Sequence, residues 1–226
     1  MGKLAIRAYV PGDREAVHRI AADTAFFGEA VERYLDDRRL FCDALYRYYT
    51  DLEPQHGWVA CADDVVVGFL MGCVDTSEQR RSWARKILPH VASRLLTGRY
   101  EVGTRTLRHA ARIARAGLYT GPTVDLAKYP AHLHLNIQER WRGLGLGRRL
   151  LEAFLGQLRT HGIPGVHLNT TSLNSAAGAL YESMGFRAAN THPAPQWTGL
   201  VPAPVFKVCY VLQLSPNPTT RHAARR

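Results

Sequence analysis

The chain has 226 residues, of which 46% are apolar, and a formal net charge of +10. A chain of this length can bury a core as one domain, and no apolar run approaches the roughly 18 residues that a membrane span needs. We therefore expect a soluble, unexported, cytoplasmic protein with no membrane association. The four cysteines stand far apart, without a CxxC pair or zinc-ligand spacing, so we expect free thiols and no metal site.

The first 75 residues predict a strand, helices and a hairpin. Residues 4–10 alternate apolar and polar side chains, as a short strand does, and a helical pattern follows. Aromatic and aliphatic side chains in 29–52 indicate one broken helix or two short ones. Residues 58–61 and 65–74 are two β-type runs separated by Asp63-Asp64, which predicts an antiparallel hairpin.

Residues 76–130 form a basic insertion in this series of strands. Eleven Lys or Arg residues stand between Thr76 and Lys128 against three acids, a local net charge of +8. Apolar side chains recur at helical spacing and predict two amphipathic helices joined near Thr97-Gly98, with inner faces built on Ile87, Val91 and Leu95 and on Leu107, Ala111 and Ile113. The charge is compatible with a solvated helix surface, nucleic acid, an anionic membrane or a polyanionic cofactor.

A strictly alternating strand is predicted directly after the insertion, at 132–138. One side carries Leu133, Leu135 and Ile137, and the other carries His132, His134 and Asn136. A face with such uniform polarity is expected to border a wet cleft.

The next residues predict a helix, a strand and a second helix. Apolar residues in 145–160 fall on one helical stripe, and a strand is expected at 166–171. Asn174 is a natural N-cap for a short helix that ends at Gly185. Two last strands are predicted at 186–189 and 206–214.

The turn before the first of these helices contains Gly143, Gly145 and Gly147, flanked by Arg142 and Arg148. A glycine-rich turn that enters a helix directs unpaired backbone N–H groups and the positive end of the helix dipole at one point, which suits a pyrophosphate. The arginines can add charge-assisted hydrogen bonds. A Rossmann dinucleotide site is the competing interpretation, but it requires an acidic residue about 20 residues later.

The unit formed by residues 131–187 resembles the acetyl-CoA core of the GNAT superfamily of N-acetyltransferases. The resemblance is carried by Arg142-x-x-Gly145-x-Gly147, by Asn174, and by Leu180-Tyr181-Glu182-x-x-Gly185-Phe186. It implies an α/β (α+β) fold with a mixed central sheet of six to seven strands flanked by helices, and it makes 76–130 a helical insertion before the central strand. We expect a single domain at 1–215 and an unfolded tail at 216–226.

The resemblance also implies acetyl-CoA as co-substrate and assigns residues to it. The pyrophosphate would be held by the loop Arg142, Gly143, Leu144, Gly145, Leu146, Gly147 and Arg148. The backbone of Ile137 and of Leu135 would pair with the pantetheine arm, where the strand is expected to bulge and splay. Asn174 would cap its helix and reach the cofactor, or act as a cap alone.

Acyl transfer to an amine requires a neutral nucleophile, stabilisation of the oxyanion and a proton for the departing thiolate. Tyr181 takes the last role by resemblance, with a core aromatic as the alternative. His134 is the first choice for the base, since an imidazole accepts a proton near neutral pH. Glu139, His167 and a relay through water remain open.

The acceptor is not fixed by these motifs. Residues 129–135, Phe26-Phe27-Gly28 and Asp36-Asp37-Arg38 resemble bacterial GNAT proteins related to the acetyltransferase-like domain of some O-GlcNAcases. We expect a small-molecule or protein amine, and the basic insertion disfavours a polycationic one. Aromatic residues of the first helices are candidates for the acceptor side or for core packing: Phe26, Phe27, Tyr34, Tyr48 and Tyr49.

Four questions stay open at this point. A non-catalytic acyl-CoA-binding or interaction module would keep the loop and lose turnover. A nucleic-acid-binding protein would use the insertion, but no recognisable nucleic-acid module surrounds its arginines, so we do not expect nucleic acid as the main partner. Homodimers are common among GNAT relatives, and the oligomeric state and the use of longer acyl-CoAs are left open.

Overall fold

The computed structural model describes residues 2–115, 124–197 and 199–215. Seven strands form one sheet in the order β1-β2-β3-β4-β5-β7-β6, which confirms the predicted mixed sheet. Neighbouring strands are antiparallel except β4 and β5, which are parallel. The predicted tail at 216–226 lies outside the described residues. The strands are β1 (Leu4–Ala8), β2 (Gly57–Ala62), β3 (Val65–Cys73), β4 (Ala131–Ile137), β5 (Gly165–Thr171), β6 (Arg187–Pro193) and β7 (Phe206–Gln213).

Helices cover both faces of the sheet. The α-helices are α1 (Arg14–Asp23), α2 (Arg38–Leu45), α3 (Thr76–Ser82), α4 (Leu88–Leu96), α5 (Thr104–Arg115), α6 (Leu146–Thr160) and α7 (Ser175–Ser183). One apolar core lies between the sheet and α1, α2 and the π-helical turn Tyr48–Leu52. A second core lies between the opposite face and α6 and α7. The apolar stripe predicted for α6 is confirmed, because its members are almost fully buried: Leu146, Leu150, Leu151, Phe154, Leu155 and Leu158.

The predicted hairpin is formed by β2 and β3. Its turn places Asp63 and Asp64 at φ values of 45° and 68°. Two successive positive φ values match the twist of an antiparallel pair, and Asp tolerates this conformation better than most residues. The turn therefore sets the register in which Ala62 pairs with Val65.

The basic insertion contains the two predicted helices. The π-helical turn Trp83–Ile87 joins α3 and α4 into one continuous helix, and Gly98 at φ 65° breaks it before α5 begins. The predicted inner face of α5 is wrong, because Leu107 and Ile113 are 60% and 47% exposed while Thr106 and His109 are buried. Leu95 of α4 is likewise exposed, at 42%.

A carboxylate from the preceding loop explains the orientation of α5. Asp36 accepts hydrogen bonds from the backbone N–H groups of Gly103 (2.8 Å) and Thr106 (2.9 Å) and from the Thr106 hydroxyl (2.8 Å). The neighbouring Asp37 caps α2 through the N–H of Arg39 and also accepts from the N–H of Glu101 (3.1 Å). These bonds place the polar side of α5 inward, which its apolar periodicity could not predict.

The middle of the sheet contains a gap between its two parallel strands. β4 and β5 pair only through Ala131 with Val166 and His132 with His167, and beyond these pairs the strands separate. β4 pairs with β3 in unbroken register from His132 to Ile137. The expected splay is thus present, but the expected bulge in β4 is not, since the register shifts lie in the β2–β3 and β6–β7 pairings instead.

Candidate active site at the gap in the sheet

The glycine-rich loop lies between the end of β4 and the start of α6. Gly143 and Gly145 adopt φ values of 76° and 75°, and a Cβ at either position would meet no atom within 4 Å. Within the described part of the chain, none of the six backbone N–H groups from Gly143 to Arg148 donates a hydrogen bond, whereas that of Arg149 donates to Gly145. Free N–H groups at a helix N-terminus, beside open space, fit an anionic phosphate group.

Gly147 has a different role from the other two loop glycines. A Cβ on Gly147 would lie 2.9 Å from Cδ2 of Leu180 and 3.5 Å from Cδ1 of Ile137. The missing side chain therefore lets α6 approach α7 and β4 closely. Leu135 and Ile137 direct their side chains into this second core. The N–H of Gln138 donates to Val67 of β3, so by the alternation of an antiparallel pair the backbone groups of Leu135 and Ile137 face away from β3, towards the gap.

The two arginines of the loop already have partners. The Arg142 side chain donates from Nε to the carbonyl of Ile137 (3.1 Å). The Arg148 guanidinium donates to the Ser183 hydroxyl (2.8 Å) and contacts the Met184 sulfur (2.9 Å) at the end of α7. Both are exposed, so neither bond holds its guanidinium rigidly.

Asn174 is the N-cap of α7, as predicted. Its side-chain oxygen accepts a hydrogen bond from the N–H of Ala177 (3.3 Å). The same residue lines a pocket of about 260 Å³ between α7, β7 and the free end of β5. The capping role is confirmed, and contact with a cofactor stays a prediction.

Tyr181 is 6% exposed and packs between Phe186 and Tyr210, with ring centroids 5.8 and 5.7 Å away. Burial raises the pKa of its phenol to about 12. With this pKa the hydroxyl is protonated at neutral pH. It has no hydrogen-bond partner among the described residues, so the proton is available for donation.

The polar face of β4 is a hydrogen-bonded network. The Thr76 hydroxyl donates its one proton to the carbonyl of Pro130 (2.6 Å), so it accepts from Nδ1–H of His132 (2.7 Å). Nε2 of the neutral His132 therefore accepts from the Tyr49 hydroxyl (2.6 Å). The Tyr49 oxygen in turn accepts from Nε2–H of His134 (3.2 Å). This assignment, inferred from the hydrogen bonds, leaves a lone pair on Nδ1 of His134.

Burial keeps these two histidines neutral. It lowers the pKa of His134 to about 4 and that of His132 well below 6.5, where the neighbouring His134 and His167 lower it further. The prediction of a wet cleft along this whole face is wrong for His132, which is only 9% exposed because Tyr49 and Thr76 cover it. His134 is half-buried, and its one hydrogen bond to a described residue is made by Nε2, which leaves Nδ1 without a partner in that part of the chain.

His167 and Glu139, the alternative candidates for the general base, are less well placed than His134. Nδ1 of His167 donates to the carbonyl of Tyr129 (2.9 Å). The ring is buried where β4 and β5 still pair, not where they separate. Glu139 is exposed in the 3-10 turn that follows β4. Asn136, the last polar residue on this face, donates to the Thr24 hydroxyl (2.7 Å) at the end of α1.

An aromatic cluster lies beside the gap. Trp197, from the segment between β6 and β7, contacts Phe26 and Phe27 with ring centroids 5.2 and 4.9 Å away. It also contacts Tyr34 (5.6 Å) and His109 of α5 (5.8 Å). The cluster joins the loop after α1, the insertion and the β6–β7 segment. Tyr48 and Tyr49, in contrast, are core residues.

Sequence reasoning missed Thr76, which fixes the tautomer of His132, and Trp197. Both act through partners that are distant in the chain, and neither belongs to a periodic pattern. Thr76 carried only the weak signal of standing where β3 ends and a helix begins.

Other parts of the molecule carry none of the predicted site residues. A pocket of about 470 Å³ beside the start of α1 is lined mainly by arginines of α1, α2 and α4 and by Arg47. Across the described ranges, no group of three or more His, Cys, Asp or Glu is placed to hold a metal. No described helix has the length and hydropathy that crossing a bilayer requires. All four cysteines are free and buried.

Comparison with known proteins agrees with this geometry. Residues 16–186 match the model of the Acetyltransferase (GNAT) family. The chain is 46% identical over 57 residues to a mycothiol acetyltransferase of Nocardiopsis dassonvillei, a match that spans 25% of the chain and 17% of that protein. It is 45% identical over 56 residues to a [ribosomal protein bS18]-alanine N-acetyltransferase of Salmonella typhimurium, spanning 23% of the chain and 38% of the relative.

Solved structures extend the likeness to the whole chain. The crystal structure of SsHAT superposes with a TM-score of 0.70 at 30% identity, over 93% of this chain and 98% of SsHAT. The Salmonella typhimurium protein yncA, solved with its cofactor acetyl-CoA, superposes with a TM-score of 0.58 at 16% identity, over 95% of this chain and 96% of yncA. The second likeness shows the fold alone.

Proposed function

This chain belongs to the GNAT acetyltransferase family, and on that premise we propose that it transfers an acetyl group from acetyl-CoA to a primary amine by direct attack. When bound, acetyl-CoA supplies the thioester-activated acetyl group. The observation that carries the proposal is the row of unpaired N–H groups from Gly143 to Arg148 beside the gap between β4 and β5. The loop offers an anion site, and the gap offers free backbone on β4 to an extended arm.

In this proposal the loop binds the pyrophosphate through its backbone. Gly143 and Gly145 leave room for phosphate oxygens, and Gly147 holds α6 against Leu180. Arg142 and Arg148 would exchange their present partners for phosphate oxygens, at little cost because both side chains are exposed. The backbone of Leu135 and Ile137 lines the β4 side of the gap. Asn174, at the start of α7, lies beside the free end of β5.

His134 is the proposed base. Its Nδ1 lone pair is the free end of the network. Burial lowers its pKa to about 4, so the ring is unprotonated at neutral pH but is a weaker base than the free imidazole that the sequence reasoning assumed. When Nδ1 takes a proton from the attacking nitrogen, Nε2–H can strengthen its bond to Tyr49. The tautomer that Thr76 imposes on His132 thus orients His134 through the Tyr49 hydroxyl.

Tyr181 is the proposed acid. Its phenol has a pKa of about 12, so it stays protonated at neutral pH, and it makes no hydrogen bond to the described residues that it would have to break. A thiolate is a weaker base than a phenolate with that pKa, so Tyr181 would donate in concert with departure of the sulfur.

The subgroup of the family and the acceptor are also proposals. The full-length likeness to SsHAT supports a close subgroup within the family, and we keep the relation to the acetyltransferase-like domain of O-GlcNAcases as a hypothesis. The two curated relatives are named for different acceptors, mycothiol and a ribosomal protein alanine. The acceptor of this chain is therefore proposed only as a small-molecule or protein amine, and a single domain at 1–215, a homodimer and a cytoplasmic location stay predictions.

The test is calorimetric titration of acetyl-CoA into the wild-type protein and a Gly145→Glu variant. The new carboxylate would stand among the free N–H groups and repel the pyrophosphate, so we expect binding to weaken at least a hundredfold. Gly162→Glu is the matched control, because Gly162 has a similar φ of 68°, equally open surroundings and a place at the other end of α6.

Two outcomes decide the matter. Saturable binding that Gly145→Glu abolishes and Gly162→Glu retains supports the cofactor site, and release of CoA with an amine library then separates an enzyme from a binding module. No binding to the wild-type protein would overturn the proposal and return attention to the basic insertion.

A further inference from the structure

A row of polar side chains crosses the half of the sheet that lies beyond the gap. Thr171 of β5 pairs with Lys207 of β7, which pairs in turn with His192 of β6. Residues paired across antiparallel strands point to the same face of a sheet. The three side chains therefore stand side by side at the free end of β5.

This row is on the same face as the proposed base. Side chains two apart on a strand share a face, so Lys207 points to the same side as Cys209 and Val211. Both of these pack against Tyr129. The carbonyl of Tyr129 accepts from Nδ1 of His167 (2.9 Å), and the His167 ring lies 5.6 Å from that of His132.

The segment between β6 and β7 covers this face. It is closed at its base by a hydrogen bond from the Ala194 N–H to the Val205 carbonyl (2.8 Å). From there it carries Trp197 across to Phe26 and Phe27, at the other side of the gap. The polar row thus lies on the face of the sheet that this segment crosses.

Lys207 has no anionic partner among the described residues. It is half-buried, and no ion pair or hydrogen bond of its ammonium group exists within the described ranges. Burial lowers its pKa, and the one ionisable neighbour that opposes this effect is the Cys209 thiol. Partial desolvation without a nearby anion destabilises the ammonium form relative to the neutral amine, and an anionic ligand would favour the ammonium form.

We propose that Lys207 is the anion-binding residue of the acceptor site, and that the acceptor is an amine that also carries a carboxylate or phosphate group. The inference rests on the proposed function and names the substrate class of that same site. The acceptor's amine would reach Nδ1 of His134 at the gap, while its anionic group would lie beneath the segment between β6 and β7, against Lys207, with Thr171 as a neutral neighbour.

The strand spacing limits the size of such an acceptor. Neighbouring strands lie about 4.8 Å apart, and only β5 stands between Lys207 and the gap. The anionic group and the amine must therefore span β5 and the gap, roughly two strand spacings or more, which suits a small molecule or the end of a peptide better than an extended polymer.

The experiment measures binding without turnover. The protein is saturated with CoA, and the dissociation constants of ω-amino acids from glycine to 6-aminohexanoate are compared with those of their carboxamides and of the matching aminoalkylphosphonates. The variants are Lys207→Met, which keeps the length of the side chain and removes its charge, Lys207→Arg, and Lys86→Met as the control at an exposed lysine of the insertion.

We expect at least one anionic series to bind at least tenfold more tightly than the carboxamides in the wild type, in Lys207→Arg and in Lys86→Met. Lys207→Met should lose that preference while its affinity for the carboxamides and for CoA stays unchanged. The better of the carboxylates and phosphonates identifies the anion. An absent preference in the wild type, or one that survives in Lys207→Met, overturns the inference, whereas loss of CoA binding in the wild type would overturn the proposed function instead.

Discussion

The hydroxyl of Tyr49 lies 2.6 Å from Nε2 of His132, on the same face of β4 that carries the proposed base. Tyr49→Phe removes this bond and the 3.2 Å bond to His134, so His134 loses the partner that fixes its tautomer. We expect kcat/KM for acetyl transfer to fall about tenfold, with the acetyl-CoA dissociation constant unchanged, in steady-state kinetics combined with calorimetry.

Tyr48→Phe is the control for this change. Tyr48 belongs to the same π-helical turn and is equally buried, but its hydroxyl faces the Cys73 sulfur, at 4.0 Å, and Glu53 instead of the two histidines. Equal losses of activity in the two variants would mean that Tyr49 acts through packing and not through the histidines.

The buried histidines predict a loss of stability in mild acid. His134 and His18 have pKa values lowered to about 4 in the folded protein, mainly by burial, against 6.5 in an unfolded chain. The unfolded state therefore binds more protons as the pH falls from 6.5 towards 4, and stability declines across this window. Each histidine contributes about 1.4 kcal/mol per pH unit.

Urea unfolding at pH 7.5, 6 and 5 measures this decline. His134→Gln should make the pH dependence shallower by one histidine's contribution, because glutamine does not titrate. A pH dependence that is the same in the wild type and in this variant would contradict the assignment of a buried, neutral His134.

Tyr181→Phe should lower turnover without loosening the fold. The hydroxyl makes no hydrogen bond to the described residues, and its pKa of about 12 keeps it protonated, so its removal costs a proton donor and little else. We expect kcat to fall about a hundredfold while the melting temperature stays within a degree or two.

The neighbouring Tyr210→Phe is the matched comparison. Its hydroxyl donates to Glu182 (3.0 Å), so this variant should lose roughly 1 kcal/mol of stability and keep its turnover. The opposite pattern, with Tyr181→Phe active and unstable, would make Tyr181 a structural aromatic.

Asp36→Ala should release the second helix of the basic insertion. Asp36 accepts bonds from Gly103 and Thr106 at the start of α5, and its pKa is lowered to about 2 by these bonds. We expect amide hydrogen exchange in α5 to accelerate at least tenfold, with protection of the sheet unchanged. Asp75→Ala, which removes the N-cap of α3, should instead accelerate exchange at the start of α3 only.

Trp197→Ala should affect the acceptor and spare the cofactor. Trp197 contacts Phe26, Phe27 and His109, all outside the glycine-rich loop. We expect the KM for an amine acceptor to rise several-fold while acetyl-CoA binding stays the same, and Trp197→Phe to restore part of the affinity. A change confined to acetyl-CoA binding would mean that the aromatic cluster belongs to the cofactor site and not to the acceptor site.

Local patterns predicted the parts of the site that are built from consecutive residues. The stripe of α6, the cap at Asn174 and the turn at Gly143 and Gly145 follow from helix periodicity, capping and positive φ, each of which acts over a few residues. The order of these elements was enough to identify the family.

Contacts between residues far apart in the chain determine the parts of the structure that the sequence did not predict. The bond from His132 to Thr76 joins residues 56 positions apart, and that from Asp36 to Thr106 joins residues 70 apart. No periodic pattern encodes such pairs, and they covered a face expected to be wet and turned the apolar side of α5 outward. Alternation on β4 correctly grouped His132 with His134, but it could not show that Tyr49 lies between them.

The short pairing of β4 with β5 also has a mechanical meaning. Two ladders, one of β1 to β4 and one of β5 to β7, meet only at Ala131 with Val166 and His132 with His167. A scissor-like opening about these pairs would widen the gap without breaking a hydrogen bond within either ladder. A molecule that binds in the gap and contacts both ladders would oppose this opening. The residence time of the bound molecule would then depend on how often β4 and β5 move apart.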